Sequence, residues 1–311
     1  MDIEPLMAEI MEYFPKRRKS VLKNILILSL SILLKETICL YRLKGIVSTL
    51  VGNESKPDSN YKRLVRIFNE HALSRLWLDL LVFVFRLLRL RTERLLLDGT
   101  SWQRGGKWYH FMTLCLVYKG VAIPFFWVDL SKKGISDQKE RKELLRKAMK
   151  HFDLKGKTLI ADREYMGEEW FKYMIDNGLH FVIRLRHKVY ESAVDALGGR
   201  TYKQLCNKVK RSKLSDKALG KVFMLNGVAL LFVVAKNPKN DPKSPLIFIV
   251  TSRTDMSPEK VVVEYGIRYK IEHCFKHLKS NGFNLEQMNL RTKSKNRLLM
   301  AVTVCAYVLS I

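Results

Sequence analysis

The order of strand-like and helix-like segments after residue 93 constrains the fold more than any other feature. Three apolar runs come first, and helical and strand-like segments then alternate. The predicted strands cover residues 94–98, 109–118, 121–128, 157–161 and 180–185, and the predicted helices cover residues 137–152 and 167–177. Lys119-Gly120 between the second and third runs is typical of a hairpin. An antiparallel group followed by crossover helices predicts one mixed α/β sheet whose later strands are parallel.

Two carboxylates follow buried strands in this order. Asp98 comes at the end of the apolar run RLLL, and Asp162 comes directly after KTLIA. A third carboxylate, Glu272, belongs to a later helical segment. Acids at the end of the first strand, after the fourth strand and on a later helix are the plan of the ribonuclease-H-like fold. The sequence therefore predicts a ribonuclease-H-like catalytic domain with Asp98, Asp162 and Glu272 brought together.

The segment 258–278 is predicted as one amphipathic helix that carries the third acid. Its apolar residues recur at helical spacing as Ile267, Ile271, Phe275 and Leu278. At about 100° per residue, four polar residues of YGIRYKIEHCFKHLK fall within an arc of about 60°: Tyr265, Arg268, Glu272 and Lys279. An aromatic ring, two cations and a carboxylate on one stripe suit phosphate, a base and a divalent cation. A solvated face with an Arg268–Glu272 ion pair is the simpler interpretation of the same stripe.

The rest of the chain divides into further regions. Residues 1–90 are predicted as an all-helical region, and Lys62, Arg63 and Arg66 on one helix face are candidate DNA contacts or an ordinary solvated face. The catalytic core covers residues 91–187 and 253–311, with an apolar helix predicted over residues 298–311. Residues 188–252 form a predicted β-rich insertion, marked by a hairpin at Asn226-Gly227. It includes eight Lys or Arg within residues 200–221, typical of a solvated face or a DNA-backbone contact.

The amino-acid composition indicates which class of binding partner and which cellular compartment to expect. Fifty-six Lys plus Arg against thirty Asp plus Glu give a net charge of +26, which favours an acidic polymer such as double-stranded DNA. The five cysteines are single and form no C-x-x-C pair, so a reducing cytoplasm is expected. The apolar stretch 24–34 is too short to span a bilayer, and no secretory signal opens the sequence. A nucleoid-associated location without membrane contact follows as the expectation.

Three carboxylates at strand and helix ends are hard oxygen ligands that suit Mg²⁺ or Mn²⁺. Two such ions about 4 Å apart hold the attacking and leaving oxygens of a phosphoryl transfer, which predicts two ions per active site. His273 and His277 are spaced like a zinc pair but lack the H-E-x-x-H pattern and project away from Glu272. Glu164, two residues after Asp162, is the nearest alternative acid and a candidate for supporting the metal ligands.

The sequence resembles the bacterial insertion-sequence transposases of the "IS four" group. The likeness rests on LLLDGTSW with GVAIPFFW, on LIADREY, and on the signature Y-x2-R-x3-E-x6-K, met by Tyr265, Arg268, Glu272 and Lys279. It covers residues 61–279. The resemblance implies a DDE transposase in which Asp98, Asp162 and Glu272 hold the ions and Tyr265, Arg268 and Lys279 grip DNA near the cleaved end. It also implies a homodimer on two paired ends, with the N-terminal helices reading the terminal inverted repeats.

These observations predict a DNA transposase that nicks transposon ends and joins them to target DNA in cut-and-paste transposition. Two alternatives remain open. One is a non-catalytic or truncated transposase-derived DNA-binding protein, which would not need all three acids. The other is a different ribonuclease-H-like nuclease, such as a resolvase, which would not need the full Tyr/Arg/Glu/Lys stripe.

Overall fold

A single eight-stranded sheet organises the fold. The computed structural model describes residues 4–52, 54–88, 93–130, 132–239, 241–280 and 282–311. The strands are β1 (Arg94–Arg104), β2 (Lys107–Tyr118), β3 (Val121–Asp129), β4 (Thr158–Ala161), β5 (His180–Leu185), β6 (Ala218–Leu225), β7 (Val228–Lys236) and β8 (Leu246–Thr251). Their order in the sheet is β3-β2-β1-β4-β5-β8-β7-β6. β1, β4 and β5 are parallel, and the pairs on either side of them are antiparallel.

The helices lie in sequence before, between and after these strands. They are α1 (Glu4–Tyr13), α2 (Lys19–Lys35), α3 (Leu40–Val51), α4 (Pro57–His71), α5 (Leu76–Leu87), α6 (Gln138–Met149), α7 (Glu168–Asp176), α8 (Glu191–Ala196), α9 (Tyr202–Arg211), α10 (Pro258–Gly266), α11 (Tyr269–Leu278) and α12 (Lys293–Leu309). Single turns of 3₁₀-helix cover Arg163–Tyr165 and Leu285–Gln287. The predicted boundary between residues 90 and 91 lies outside the described residues.

The N-terminal helices share their core with the C-terminal helix. α12 packs against α2 and α5, and the apolar side chains of all three belong to one continuous cluster with the sheet. Within the described residues no single helix has the length and hydropathy of a membrane span; α2 and α3 meet that test only as a pair, bent by 110°. The division of the chain at residues 187 and 252 stays a prediction.

The strands of the segment 188–252 extend the central sheet. β8 pairs antiparallel with β5, and the β6–β7 hairpin continues the sheet beyond it. The hairpin turns at Asn226-Gly227, where both residues have positive φ as a type I′ turn requires. The basic run within residues 200–221 contains the helix α9, whose face of Tyr202, Leu205 and Val209 is buried.

Two local predictions were wrong. β1 does not end at Asp98 but continues to Arg104, because antiparallel pairing with β2 persists beyond the point where its parallel neighbour β4 ends. The predicted single helix over residues 258–278 is two helices. At the break, Ile267 and Arg268 each donate a backbone hydrogen bond to the residue three positions earlier, the tighter spacing of a 3₁₀ turn. Gly266, a weak helix former, ends α10 there.

Candidate active site

Asp98 and Asp162 lie side by side on neighbouring parallel strands. Leu97 of β1 is paired with Ala161, the last residue of β4, so the next residue on each strand is a carboxylate. Asp98 also accepts a hydrogen bond at 2.8 Å from the backbone N–H of Gly99. Two neighbouring strand ends therefore place two acids at one edge of the parallel part of the sheet.

Arg268, at the start of α11, connects the first acid to the third. Its Nη1 donates to Oδ2 of Asp98 at 3.2 Å, and its Nη2 donates to Oε1 of Glu272. The side chains of Arg268 and Asp98 are only 14% and 18% exposed, whereas that of Glu272 is 50% exposed. The Arg268–Glu272 pair expected for a solvated helix face is thus present, but it is joined to Asp98 and faces the sheet.

Tyr265, near the end of α10, reaches the second acid. Its hydroxyl donates to Oδ1 of Asp162 at 3.2 Å. Burial, and then the charge of Asp162, raise the pKa of Tyr265 to about 12, so its hydroxyl keeps its proton at neutral pH. The break between α10 and α11 places Tyr265 and Arg268 against different acids.

Burial and neighbouring charges shift the pKa values of two side chains in the acid site. Burial raises the pKa of Asp98 to about 6, although Arg268 and the N–H of Gly99 oppose the shift and Glu164 and Asp162 add to it. Burial alone would lower the pKa of Arg268, but Tyr265, Asp162 and Glu272 together raise it. The carboxylates therefore favour a cation among them, and the guanidinium of Arg268 supplies one.

Lys279 directly follows α11 and lies beside the part of β1 that continues beyond Asp98. Its Nζ donates to the backbone carbonyl of Ser101 at 3.1 Å and lies 3.5 Å from the carboxylate of Glu286. It also lies 5.3 Å from the ring centre of Trp102, which is buried against Tyr109 and is therefore a core residue. Lys279 thus sits three residues further along β1 than Asp98.

A layer of buried polar side chains lies beneath the acids, and little in the sequence indicates it. A Cβ at Gly99 would lie 3.0 Å from Nε2 of His110 and 3.5 Å from the hydroxyl of Tyr165, so only glycine fits there without movement. Burial lowers the pKa of His110. Arg141 is 5% exposed and lies 5.1 Å from the Tyr165 ring, although the sequence of α6 is typical of an exposed basic helix.

The N-terminal candidates lie on another part of the molecule. Lys62 is exposed on α4, Arg63 donates to the side-chain oxygen of Asn24 at 2.6 Å, and Arg66 is 3.8 Å from Glu70. Arg63 and Arg66 line a cavity of about 620 Å³ between α4 and the start of α2, together with Lys16, Arg17 and Arg18. The structure therefore brings the predicted acids and stripe residues to one region, whereas Arg63 and Arg66 line a separate basic cleft and Lys62 is exposed outside its lining.

The acid site has the ligand chemistry of a hard divalent cation, but its carboxylates do not converge on one point in their present positions. Carboxylate oxygens of Asp98, Asp162 and Glu272 are the ligand type that Mg²⁺ and Mn²⁺ prefer. In the part of the chain that the structure describes, however, no three His, Cys, Asp or Glu side chains converge closely enough to hold a metal ion. Arg268 bonds to both Asp98 and Glu272, so a cation at those oxygens requires the guanidinium to withdraw.

The rival residues have other surroundings. His273 packs its ring against Tyr269, and His277 packs against Phe283 and Tyr307. Glu164 lies in the 3₁₀ turn after Asp162, and its charge raises the pKa of Asp98 after the larger effect of burial. Glu164 is therefore near the acids, as a supporting carboxylate would be.

Comparison with known proteins identifies the kind of domain that carries this geometry. Residues 89–309 match the family described as transposase DDE domain. Among solved structures, the chain is similar to a piggyBac transposase synaptic complex with hairpin DNA, at 9% identity and a TM-score of 0.54, over 96% of this chain and 69% of that one. At this identity the likeness concerns the fold alone. No curated protein matches the sequence.

Proposed function

The chain belongs to the transposase DDE-domain family, and from that premise we propose that it is a DNA transposase whose active site is built from Asp98, Asp162 and Glu272. The order β3-β2-β1-β4-β5, with antiparallel β1–β3 and parallel β1, β4 and β5, supports a ribonuclease-H-like catalytic fold. In this proposal the chain is of the "IS four" type and performs cut-and-paste transposition.

One observation carries the proposal. Arg268 and Tyr265 connect all three acids, since Arg268 bonds to Asp98 and Glu272 and Tyr265 bonds to Asp162. The five residues come from three segments, at residues 98, 162 and 265–272, that are more than 60 positions apart in sequence. A solvated helix face alone would not bring these segments together. Glu272 is half exposed, so the acid edge is open to a macromolecular substrate.

The chain's own residues have distinct roles in this proposal. Asp98 and Asp162 are held by the rigid ends of paired strands, and Glu272 approaches from α11. Once Arg268 leaves the carboxylates, its planar guanidinium can bind a phosphate with two donors, while Lys279 binds as a point charge further along β1. Tyr265 keeps Asp162 oriented and remains a neutral donor, because the pKa of its hydroxyl is about 12.

A divalent ion, Mg²⁺ or Mn²⁺, is the cofactor that we propose, with Asp98, Asp162 and Glu272 as its ligands and two ions as the expected number. Such ions stabilise the charge that develops on the attacking and leaving oxygens of a phosphodiester. We also propose double-stranded DNA as partner, a homodimer on paired transposon ends, and a location in the cytoplasm at the nucleoid. The net charge of +26 supports a nucleic-acid partner.

The test is Mg²⁺-dependent nicking of a labelled duplex that carries the terminal repeat flanking the gene. Wild type should nick at the repeat boundary, whereas Asp98→Asn, Asp162→Asn and Glu272→Gln should bind the duplex without nicking it. Glu259→Gln, which removes one exposed carboxylate in the first turn of α10, is the matched control and should nick like wild type. Tight repeat binding by wild type without any nicking would instead support a non-catalytic DNA-binding protein.

A further inference from the structure

A small cavity lies at the β3 edge of the sheet, outside the acid site. It has a volume of about 260 Å³ and is bordered by α5, β3, the end of α6 and the start of α12. Its floor is aromatic, formed by Trp77, Phe111, Phe126 and Trp127. Its rim has one acidic residue, Asp129, and a larger number of basic residues: Lys147, Lys150, His151, Lys293 and Arg297. An aromatic floor under a basic rim is the combination that holds bases and phosphates of single strands.

The aromatic floor of the cavity includes a ring that is accessible for base stacking. The Trp77 ring lies 5.9 Å from Phe126 and 6.2 Å from Trp127, which are both buried, while Trp77 itself is half-buried. The guanidinium of Arg297 lies 5.0 Å from the centre of the Trp77 ring. A flat ring beside a flat cation offers a stacking surface to any base.

The rim has more positive charge than its carboxylates neutralise. Among the described residues, Lys150, Lys293 and Arg297 form no ion pair with a carboxylate, and Lys293 donates instead to the backbone carbonyl of Asp129 at 3.4 Å. Burial, and then the charges of Arg75 and Lys150, lower the pKa of His151. The basic residues of the rim outnumber Asp129, the acidic residue in the cavity lining, so they repel one another, and an anion among them relieves that repulsion.

The cavity has a fixed position relative to Asp98. Asp98 is paired with Thr113 of β2, and Thr113 is paired with Trp127 of β3. Directly paired residues project from the same face of a sheet, and strands are about 4.8 Å apart. Trp127 therefore lies on the face of Asp98, roughly 10 Å across the sheet from it.

We propose that this cavity binds one nucleotide of a DNA strand that crosses the acid site, with its base against Trp77 and Arg297 and its phosphate at Lys150 and Lys293. This deepens the proposed function and rests on it. The volume is below the about 300 Å³ at which pockets begin to enclose a whole drug-sized ligand. The cavity therefore suits one unit of a longer strand and not a free cofactor.

The first experiment tests whether the basic residues of the rim contribute to DNA binding. Lys150→Ala/Lys293→Ala is compared with Lys155→Ala/Lys260→Ala by anisotropy of a labelled DNA carrying a single-stranded flank, over a range of salt concentrations. Lys155 and Lys260 are exposed, form no ion pair with a described residue, and lie away from the cavity; Lys155 precedes β4, whereas Asp162 follows it. Both variants lose two charges. The rim variant should bind more weakly, with a salt slope shallower by about 1.4 to 1.8, and the control should keep the wild-type slope.

The second experiment tests whether a base of the DNA flank stacks on Trp77. An abasic nucleotide is placed at each position of the flank in turn, and binding by wild type is compared with binding by Trp77→Leu, whose folding is checked by thermal unfolding. At one position of the flank, the abasic nucleotide should weaken DNA binding by wild type severalfold. At that same position it should not change DNA binding by Trp77→Leu. Equal sensitivity of both proteins at every position would overturn the stacking role.

Failure of the transposase function and failure of nucleotide binding in the cavity give different results. If wild type binds no DNA, the transposase function and this inference both fall. If wild type binds and nicks DNA but the rim variant has the slope of its control, the cavity takes no part and only this inference falls.

Discussion

Arg268 donates to Asp98 across 170 positions of sequence, at 3.2 Å, with both side chains less than a fifth exposed. The same guanidinium bonds to Glu272, so a single side chain carries the positive charge between two acids of the site. Such a pair differs from a surface ion pair, because removing one partner leaves the other partly buried and uncompensated.

Arg268→Gln should therefore destabilise the metal-free protein. Breaking a buried pair costs about 3 to 5 kcal/mol, and the residual exposure of both side chains places the expected loss at the lower end, about 3 kcal/mol. Urea unfolding in EDTA measures it. Added Mg²⁺ should recover part of the loss, since a ligand that binds only the folded state stabilises it.

Arg253→Gln is the matched control for that measurement. Arg253 makes two hydrogen bonds to Asp255, at 2.9 and 2.8 Å, but the pair is far more exposed, at 33% and 64%. Its loss should cost at most about 1 kcal/mol. A similar small loss for Arg268→Gln would return Arg268 to the solvated-face interpretation.

The sequence predicted the acids better than it predicted what connects them. Asp98 and Asp162 follow apolar runs, and a strand's burial is local information that the sequence carries. The role of Arg268 depends on a contact between α11 and β1, which periodicity does not encode. The pairing of β8 with β5 was not predicted either, because the hairpin signal at Asn226-Gly227 fixes only the pairing of β6 with β7 and says nothing about the partners of β8.

Asp98→Asn should remove a loss of stability that wild type undergoes as the pH rises from 4 to 7.5. Because the pKa of Asp98 is raised to about 6 in the folded state, from an ordinary value of 3.8, its contribution is fully present below pH 3.8 and is lost as the pH rises through 6. Asn keeps the neutral form at every pH. Relative to wild type, the free energy of unfolding of the variant should therefore rise by up to about 3 kcal/mol between pH 4 and pH 7.5.

Asp255→Asn supplies the opposite sign in the same titration. The side-chain hydrogen bond from Arg253 lowers the pKa of Asp255 to about 2, so its contribution is present above pH 3.8 and is lost as the pH falls through 2. This variant should be slightly less stable than wild type at neutral pH. If the stability difference for Asp98→Asn does not change between pH 4 and pH 7.5, Asp98 lies in a more solvated position than the structure has it.

Gly99→Ala should disturb the layer beneath the acids. The added methyl group meets Nε2 of His110 at 3.0 Å and the Tyr165 hydroxyl at 3.5 Å, and both of these side chains are buried. Overpacking of this kind costs about 1 to 3 kcal/mol. Gly45→Ala is the control, because Gly45 lies within α3 with no atom within 4 Å of its added methyl and should gain about 0.5 to 1 kcal/mol. Thermal unfolding separates the two signs, and a stabilised Gly99→Ala would show that His110 yields freely.

Lys279→Ala tests whether the signature helix contacts DNA. Lys279 lies on the face of α11 that meets β1, and in the DNA-free protein it is engaged with the Ser101 carbonyl and Glu286. If it binds a phosphate when DNA arrives, its removal should weaken binding to all sequences alike and make the salt slope shallower by about 1. Lys270→Ala removes the same charge from the opposite face of α11, where Lys270 donates to the carbonyl of Gly120, and should leave the slope unchanged. Equal slopes for the two variants would mean that Lys279 serves the β1 contact alone, and the phosphate contacts of the acid site would then fall to Arg268.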